Sequence, residues 1–530
     1  MYAEANRGGP DLAQPIPHHD WIAGQARLRP DGVATVDLHT GRTFTYAQLH
    51  RRVGLLAGAL RQHFGLCRGD RVAVLAHNGT DMFELQFACA RIGAIFVPLN
   101  WRLAPPELQA ILTDCAPALL VSDPADASVA ESLAAASLIR RTLALGAPYE
   151  TAIANAAPVD AAEDATLGDV ATILYTSGTT GQPKGVIVTH GMNLWNAVNV
   201  SSPARLSPDT VFLCLLPLFH TGGLNVFANP VFHAGGTVLV MRDFDPAATL
   251  RVLQDRERPV THLFGVPAHY QLIAQHPAFS STDLSGIRFA AVGAAPTPDS
   301  LLETWATRGL VLQQGYGMTE TGPVVLLLDR ADAVRKAGAA GKPVLHTDVR
   351  LVRPDGTEAC AHEVGELWVR GPNVTPGYWG QPAATAAAFT DGWLRTGDAA
   401  RRDEEGFYTI VDRWKDMYIS GGENVYPAEV ENVLYQIDAV AEAAIIGVPD
   451  ERWGEVGRAV AVLKPGRAAT EAELLAHCAA NLGRFKLPRS IVFTDALPRN
   501  ATGKVHKPTL RAMFAREDAT PGAGTGTDTP

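Results

Sequence analysis

The residue types best suited to chemistry lie in one short run: Tyr175-Thr176-Ser177-Gly178-Thr179-Thr180-Gly181-Gln182-Pro183-Lys184-Gly185-Val186. Apolar Val170 to Leu174 leads in and Val186-Ile187-Val188 leads out, which predicts strand, tight loop, strand. Glycines let a backbone approach a ligand closely and adopt positive φ. Successive N–H groups in such a turn can form a concave anion site. Ser177, Thr179 and Thr180 add hydroxyl donors, and Lys184 adds a point charge. The set suits a polyphosphate. It is not the P-loop of GTPases and ATPases, where Gly-Lys-Ser/Thr opens a helix; here Lys184 follows Pro183 and precedes Gly185. Standing alone, the run would also fit a polar surface hairpin.

Three later runs carry further polar chemistry. In Gln314-Gly315-Tyr316-Gly317-Met318-Thr319-Glu320, a strand runs into Gly-Tyr-Gly. That leaves a flat ring and bare backbone at a sheet end, where nucleotides tend to bind. In Trp393-Leu394-Arg395-Thr396-Gly397-Asp398, a carboxylate follows Thr-Gly and can accept two hydroxyl hydrogen bonds from a ribose. In Pro498-Arg499-Asn500-Ala501-Thr502-Gly503-Lys504, a lysine ends a loop; alone it would be solvated charge.

In type and order, these four runs resemble the signatures of the adenylate-forming superfamily of acyl-CoA synthetases, luciferases and adenylation domains. The resemblance covers roughly residues 175 to 504. It implies that Thr176, Ser177, Gly178, Thr179, Thr180, Gly181 and Lys184 bind phosphate. It implies that Tyr316 flanks an adenine, within a nucleotide frame of Ala294, Gln314, Gly315 and Gly317. Thr319 would touch the α-phosphate, and Glu320 would help to hold Mg²⁺, a hard cation suited to oxygen ligands. Asp398 becomes the ribose partner, with Arg413 of Asp412-Arg413-Trp414-Lys415 as a second ribose and phosphate contact. A lone arginine there would otherwise be a surface ion pair. Lys504 matches the catalytic lysine of the small domain.

A carboxylate is a poor electrophile because its leaving group would be oxide. Attack of a carboxylate oxygen on the ATP α-phosphate makes an acyl-adenylate and pyrophosphate, and AMP then leaves readily when a thiol attacks. Both steps need positioning and charge neutralisation more than acid–base catalysis. No Ser-His-Asp or Cys-His arrangement is evident, and none is required. The family rotates its small domain between the two steps about a hinge residue, here Lys415. Tyr418-Ile419-Ser420-Gly421-Gly422-Glu423-Asn424 would then line a pantetheine tunnel, with Gly421 and Gly422 forming a narrow wall. Plant coumarate ligases carry a lysine at the position of Gly421, so a CoA contact by that lysine does not carry over.

His220, in Pro217-Leu218-Phe219-His220-Thr221-Gly222-Gly223, looks like the family's aromatic gate at the carboxylate end. Gly222, Gly223, Asn225, Val266, Ala294, Ala295, Gly315 and Met318 would line the acyl slot. Small residues there predict a deeper or wider apolar cavity. No arginine at these positions would pair a second carboxylate, which disfavours malonate. The expected substrate is a hydrophobic monocarboxylate, either a fatty acid or a phenylpropenoate such as ferulate. The expected protein is an ATP-dependent carboxylate–CoA ligase using ATP, Mg²⁺ and CoA. Loading of a carrier-protein thiol, a luciferase-type oxygenase and a non-enzymatic lipid- or nucleotide-binding protein are the competing readings.

The elements that must position these residues follow from composition and pattern. A chain of 530 residues predicts two or more domains. Its 47% hydrophobic and 19% charged content is that of a soluble globular enzyme. A net charge of −10 with no basic stripe disfavours nucleic acid. Cys67, Cys89, Cys115, Cys214, Cys360 and Cys478 are scattered, with no CxxC pair, which fits a reduced cytoplasmic setting. There is no signal-peptide core and no membrane-spanning apolar run. A homodimer is the oligomer expected.

The fold expected is α/β: a large N-terminal domain of α/β sheets with a β-rich subdomain, then a small mobile α+β domain. Thr45 and Gln48 form a capping box for a helix continued by Leu49, Val53, Leu56 and Leu60. Strands and helices alternate from Gly69 to Val121, which argues for parallel pairing. Residues 125 to 168 read as peripheral helix and loop. The turn Pro354-Asp355-Gly356 marks a hairpin subdomain. The boundaries expected are 1–411 for the AMP-binding domain, 412–416 for the hinge, 417–515 for the mobile domain and 516–530 for a disordered tail. Residues 1 to about 17 read as a loose arm.

Overall fold

The structure is a computed structural model that describes residues 15–137, 139, 141–160, 162, 165–177, 183–413, 416–420, 423–450, 452–499 and 504–514. The chain divides into two compact units. The first comprises residues 1–396 and 401–409, and the second comprises 397–400 and 410–530.

Two α/β sheets organise the large unit. One has six strands in the spatial order Thr142–Ala144, Leu119–Ser122, Arg71–Leu75, Ile95–Leu99, Val170–Ser177 and Pro183–Thr189. The first five run parallel and the last is antiparallel. Parallel strands covered on both faces must be apolar throughout. Val72 to Leu75 and Ile95 to Leu99 are accordingly buried at every position. The strand Thr142–Ala144 corrects the reading of 125–168 as helix and loop only. Three residues are too short to show a period, and only pairing with Leu120 to Ser122 makes them a strand.

The other sheet has nine strands, in the order Lys342–Pro343, Val324–Leu327, Gln313–Gly317, Phe289–Val292, His262–Gly265, Val211–Cys214, Thr237–Val240, Val33–Asp37 and Thr43–Thr45. From Gln313–Gly317 to Val33–Asp37 the pairing is parallel, and the edges are antiparallel. The helix Tyr46–Gln62 carries the expected box: Thr45 Oγ1 accepts from Gln48 N at 3.3 Å and Gln48 Oε1 accepts from Thr45 N at 2.8 Å. Its face of Leu49, Val53, Leu56 and Leu60 is fully buried. The hairpin Asp348–Val352 with Val364–Arg370 is antiparallel, as its turn predicts.

The N-terminal arm is not loose at its inner end. Pro17 bridges Thr166, His18 N donates to Ala165 O at 2.7 Å, and the His18 and His190 rings stack at 3.9 Å. Residues 1–14 and the tail 516–530 lie outside the described residues.

The small unit is α+β. Its sheet has the order Glu423–Val425, Tyr418–Ser420, Gly454–Leu463 and Val440–Asp450, with Ser490–Phe493 paired parallel to Gly454–Leu463. The helices Pro427–Tyr435 and Glu471–Asn481 bury Val430, Leu434, Leu474 and Cys478 in one core with Ile445 and Ala459.

Candidate functional site

In the large unit, the strands on either side of the phosphate-type loop pair antiparallel, with Thr176 opposite Lys184. Gly178, Thr179, Thr180, Gly181 and Gln182 lie outside the described residues, as does the side chain of Ser177. Thr176 Oγ1 donates to Lys184 O at 3.5 Å. A Cβ on Gly185 would stand 2.8 Å from Ile173 Cγ2, so the strand needs glycine there.

Residues 377 to 379 lie along the strand that follows the loop. Ile187 N donates to Gly377 O at 3.1 Å, Trp379 N donates to Gly185 O at 2.7 Å, and Val186 bridges Tyr378. This pairing puts the Tyr378 ring 5.1 Å from the Lys184 ammonium, a cation–π contact. The Tyr378 hydroxyl donates to Glu320 Oε1 at 3.1 Å. Burial, reinforced by the Glu320 charge, pushes the phenol's ionisation above its ordinary range, so Tyr378 keeps its proton. One tyrosine therefore touches Lys184 and Glu320, residues 136 positions apart in sequence. Sequence reading missed Tyr378. Its only signal was an aromatic in Pro376-Gly377-Tyr378-Trp379-Gly380, a run that reads as a turn.

Glu320 sits in the single turn Thr319–Thr321 directly after the strand Gln313–Gly317, and is 7% exposed. Its own carbonyl accepts from Thr375 N at 2.8 Å, and Asn373 Nδ2 donates to Thr321 O at 2.7 Å. A Cβ at Gly317 would meet Pro323 O at 1.9 Å. Tyr316 pairs with Leu326 across the strand. The Gln314 side chain ties this strand to a neighbouring loop, its Oε1 accepting from Gly338 N at 2.9 Å. Ala294 holds a φ of 69°, a left-handed conformation uncommon outside glycine and met at functional turns. It follows Gly293, whose added Cβ would stand 2.8 Å from Gly315 O, so these two strand ends approach closely.

His220 caps the short turn Thr221–Gly223, its Nδ1 accepting from Gly222 N at 3.0 Å. In the neutral ring the proton then sits on Nε2. Two of the residues expected to line the acyl slot, Gly222 and Gly223, are closely packed. A Cβ on Gly223 would stand 2.3 Å from Pro217 O, and one on Gly222 would stand 3.1 Å from His220 Nδ1 and 3.2 Å from Leu216 Cδ1. Gly223 is needed because the chain folds back on itself there, whereas the space at Gly222 is bounded by the side chains of His220 and Leu216. A π-helical turn, Leu224–Ala228, follows, of a kind frequent at functional sites. Asn225 within it is buried, accepting from Asn229 Nδ2 on its Oδ1 and from Asn196 Nδ2 on its carbonyl, both at 2.8 Å. The Asn225 amide nitrogen has no partner among the described residues.

The small unit holds the remaining candidates. Asp398, 9% exposed, lies within the strand Trp393–Arg402 just after Gly397, whose φ is 73°. Arg413 ends the strand Tyr408–Arg413, and its side chain lies outside the description. Lys415, Gly421 and Gly422 lie outside the described residues. Lys504 is partly buried, one residue before the Arg499–Val505 bridge closes.

Among the described residues no cluster of three His, Cys, Asp or Glu forms a self-contained metal site. A single buried carboxylate such as Glu320 fits Mg²⁺ delivered with ATP, because phosphates and water supply that ion's other ligands.

Residues 22–379 match the family described as AMP-binding enzyme, and residues 429–504 match the AMP-binding enzyme C-terminal domain. The chain belongs to the AMP-binding enzyme family. The feruloyl-CoA synthase of Amycolatopsis is 46% identical over 500 residues, covering 93% of this chain and 98% of that protein. The indoleacetate–CoA ligase of Aromatoleum aromaticum is 41% identical over 505 residues, covering 94% and 98%. Among solved structures, ATP-bound MatB from Rhodopseudomonas palustris superposes with a TM-score of 0.87 at 34% identity, over 94% of this chain and 99% of that one.

The family assignment makes the protein an AMP-forming acid–thiol ligase. It uses ATP and Mg²⁺ to convert a carboxylic acid to its acyl-adenylate, then transfers the acyl group to CoA with release of AMP. Full-length likeness to CoA ligases disfavours the carrier-loading and oxygenase readings. No helix among the described residues is long and apolar enough to cross a membrane.

Proposed function

We propose that the acid is a phenylpropenoate of the ferulate type. Full-length identity of 46% to a feruloyl-CoA synthase carries this reading, ahead of 36% to a long-chain fatty acid–CoA ligase. A pyrophosphate-release screen of ferulate, coumarate, indole-3-acetate, dodecanoate and malonate tests it, with the thioesters confirmed by mass. Ferulate or coumarate should give the highest kcat/KM. A preference for dodecanoate would transfer the assignment to fatty acids.

In this reading, Thr176, Ser177, Gly178, Thr179, Thr180, Gly181 and Lys184 cradle the phosphates. Tyr316 flanks the adenine, framed by Ala294, Gln314, Gly315 and Gly317. Thr319 contacts the α-phosphate, and Glu320 takes one position on Mg²⁺. Asp398 and Arg413 hold the ribose. His220 orients the acid's carboxylate through Nε2. Lys504 offsets the charge that builds on the carboxylate, the α-phosphate and the leaving pyrophosphate in the first step. Residues 412–416 act as the hinge about Lys415, between domains 1–411 and 417–515, and Gly421 and Gly422 line the thiol path in the second step. We further read the protein as a cytoplasmic homodimer that binds no nucleic acid. Light scattering on the purified protein tests the oligomer.

A further inference from the structure

The loop that carries Lys504 is tied at both feet. Arg499 bridges Val505, and His506 N donates to Pro498 O at 2.8 Å. The next residue, Lys507, opens the helix Lys507–Phe514 and points inward, its side chain only 13% exposed. Its ammonium lies 2.9 Å from Glu431 Oε1 and 3.9 Å from Asp412 Oδ2. Both carboxylates are fixed independently. Glu431 Oε1 accepts from Ile445 N at 2.9 Å, and Asp412 Oδ2 accepts from Ala428 N at 3.0 Å. Burial pulls the amine's ionisation down, but Glu431 and Asp412, with a smaller contribution from Asp416, outweigh it and hold it above its ordinary value. One turn further along the same helix, Arg511 pairs with Asp416 at 3.1 Å.

A buried ion pair of this kind is weak evidence for net stability, which leaves a role in fixing geometry to be tested. Lys507 stands three positions from Lys504, and its two anchors sit on the helix Pro427–Tyr435 and at the start of the hinge segment. We propose that Lys507 is a positioning residue that holds the Lys504 loop in register for acyl-adenylate formation, and not for thioester formation. The inference rests on the reading of Lys504 given above. A displacement of about 1 Å in a positioned group can cost roughly a hundredfold in rate.

The test separates the two half-reactions. It uses whichever of ferulate, indole-3-acetate and dodecanoate the wild-type protein adenylates fastest. Adenylation is read by ATP–pyrophosphate exchange. Transfer is read by thioester formation from the synthetic acyl-adenylate and CoA, and folding by Tm. Lys507→Met should lower exchange by roughly ten- to a hundredfold and leave transfer within about twofold, whereas Lys507→Arg should retain most of the exchange. Lys507→Met with Glu431→Gln removes the nearer of the two carboxylate charges that faced the amine while keeping an acceptor for Ile445 N; it should regain part of the lost Tm but not exchange. Equal loss of both half-reactions, full exchange in Lys507→Met, or recovery of exchange in the double variant would each overturn the proposal. Lys504→Ala runs in parallel. If it keeps normal exchange, the reading of Lys504 falls and the proposal with it. If it loses exchange while Lys507→Met does not, only the proposal falls.

Discussion

Tyr378 donates to Glu320 at 3.1 Å while the face of its ring carries the Lys184 ammonium. The phosphate-loop lysine and the carboxylate assigned to Mg²⁺ thus share one rigid support. A hydrogen bond to a charged group is worth about 1.5–3 kcal/mol. Tyr378→Phe keeps the ring and deletes that bond. We expect ATP–pyrophosphate exchange to fall roughly tenfold or more, and the Mg²⁺ concentration for half-maximal rate to rise. Tm should fall modestly too, because the buried Glu320 carboxylate loses a partner even though phenylalanine fills the same space. A magnesium titration of the variant checks this, and an unchanged magnesium dependence would separate Tyr378 from the metal.

Asp398 is buried within a strand and, in the reading above, accepts the ribose hydroxyls. Its replacement by alanine removes two charge-assisted bonds from nucleotide binding. The ATP KM should rise roughly tenfold or more, while transfer from a supplied acyl-adenylate weakens through its AMP moiety. Steady-state kinetics with varied ATP decides the point; a wild-type KM would remove Asp398 from the nucleotide.

Gly223 illustrates what a motif can hide. Its smallness suggested an open slot, yet a Cβ would stand 2.3 Å from Pro217 O and 2.5 Å from Leu216 O. Gly223→Ala should therefore destabilise the fold by about 1–3 kcal/mol through overpacking without narrowing the range of acids. Thermal melts and the acid screen, run on one preparation, distinguish the outcomes. A changed acid profile at wild-type Tm would return Gly223 to the slot.

Local chemistry was legible where it acts over a few residues. The Thr45–Gln48 capping box and the hairpin turn at Pro354-Asp355-Gly356 each depend on neighbours in sequence. The position of Glu320 just past a strand end was legible from the Gly-Tyr-Gly run before it. Tyr378 was not, because its partners Lys184 and Glu320 come from distant segments joined only by sheet pairing. The strand Thr142–Ala144 was hidden for the same reason. The π-helical turn at Leu224–Ala228 leaves no residue-type signature, since its extra residue is accommodated by packing. Lys507 carries no signal of its own in the sequence, and only the fold places Glu431 and Asp412 around it.

The stacked pair His18 and His190 makes stability depend on pH. Burial lowers His18 to about 4 and His190 to about 3, against 6.5 in an unfolded chain, with the His18 ring adding to the lowering of His190. Asp20, Asp169, His19 and Arg68 are the charged or titratable groups facing them. Below pH 6.5 the unfolded chain takes up protons that the folded protein refuses. The pair's contribution is therefore fully present above pH 6.5 and is lost as pH falls towards 4 and then 3. Each such histidine changes stability by up to about 1.4 kcal/mol per pH unit in that window. His262 and His269, both lowered to about 4 by burial, act in the same direction and remain in any variant of the pair. Denaturant melts at half-unit steps from about pH 7.5 to 4 should thus show a shallower decline for His18→Gln with His190→Gln than for the wild type. The double variant should be less stable at the neutral end, where it loses ring stacking, and the two curves should converge on acidification. Parallel curves would mean that neither ring titrates against the fold.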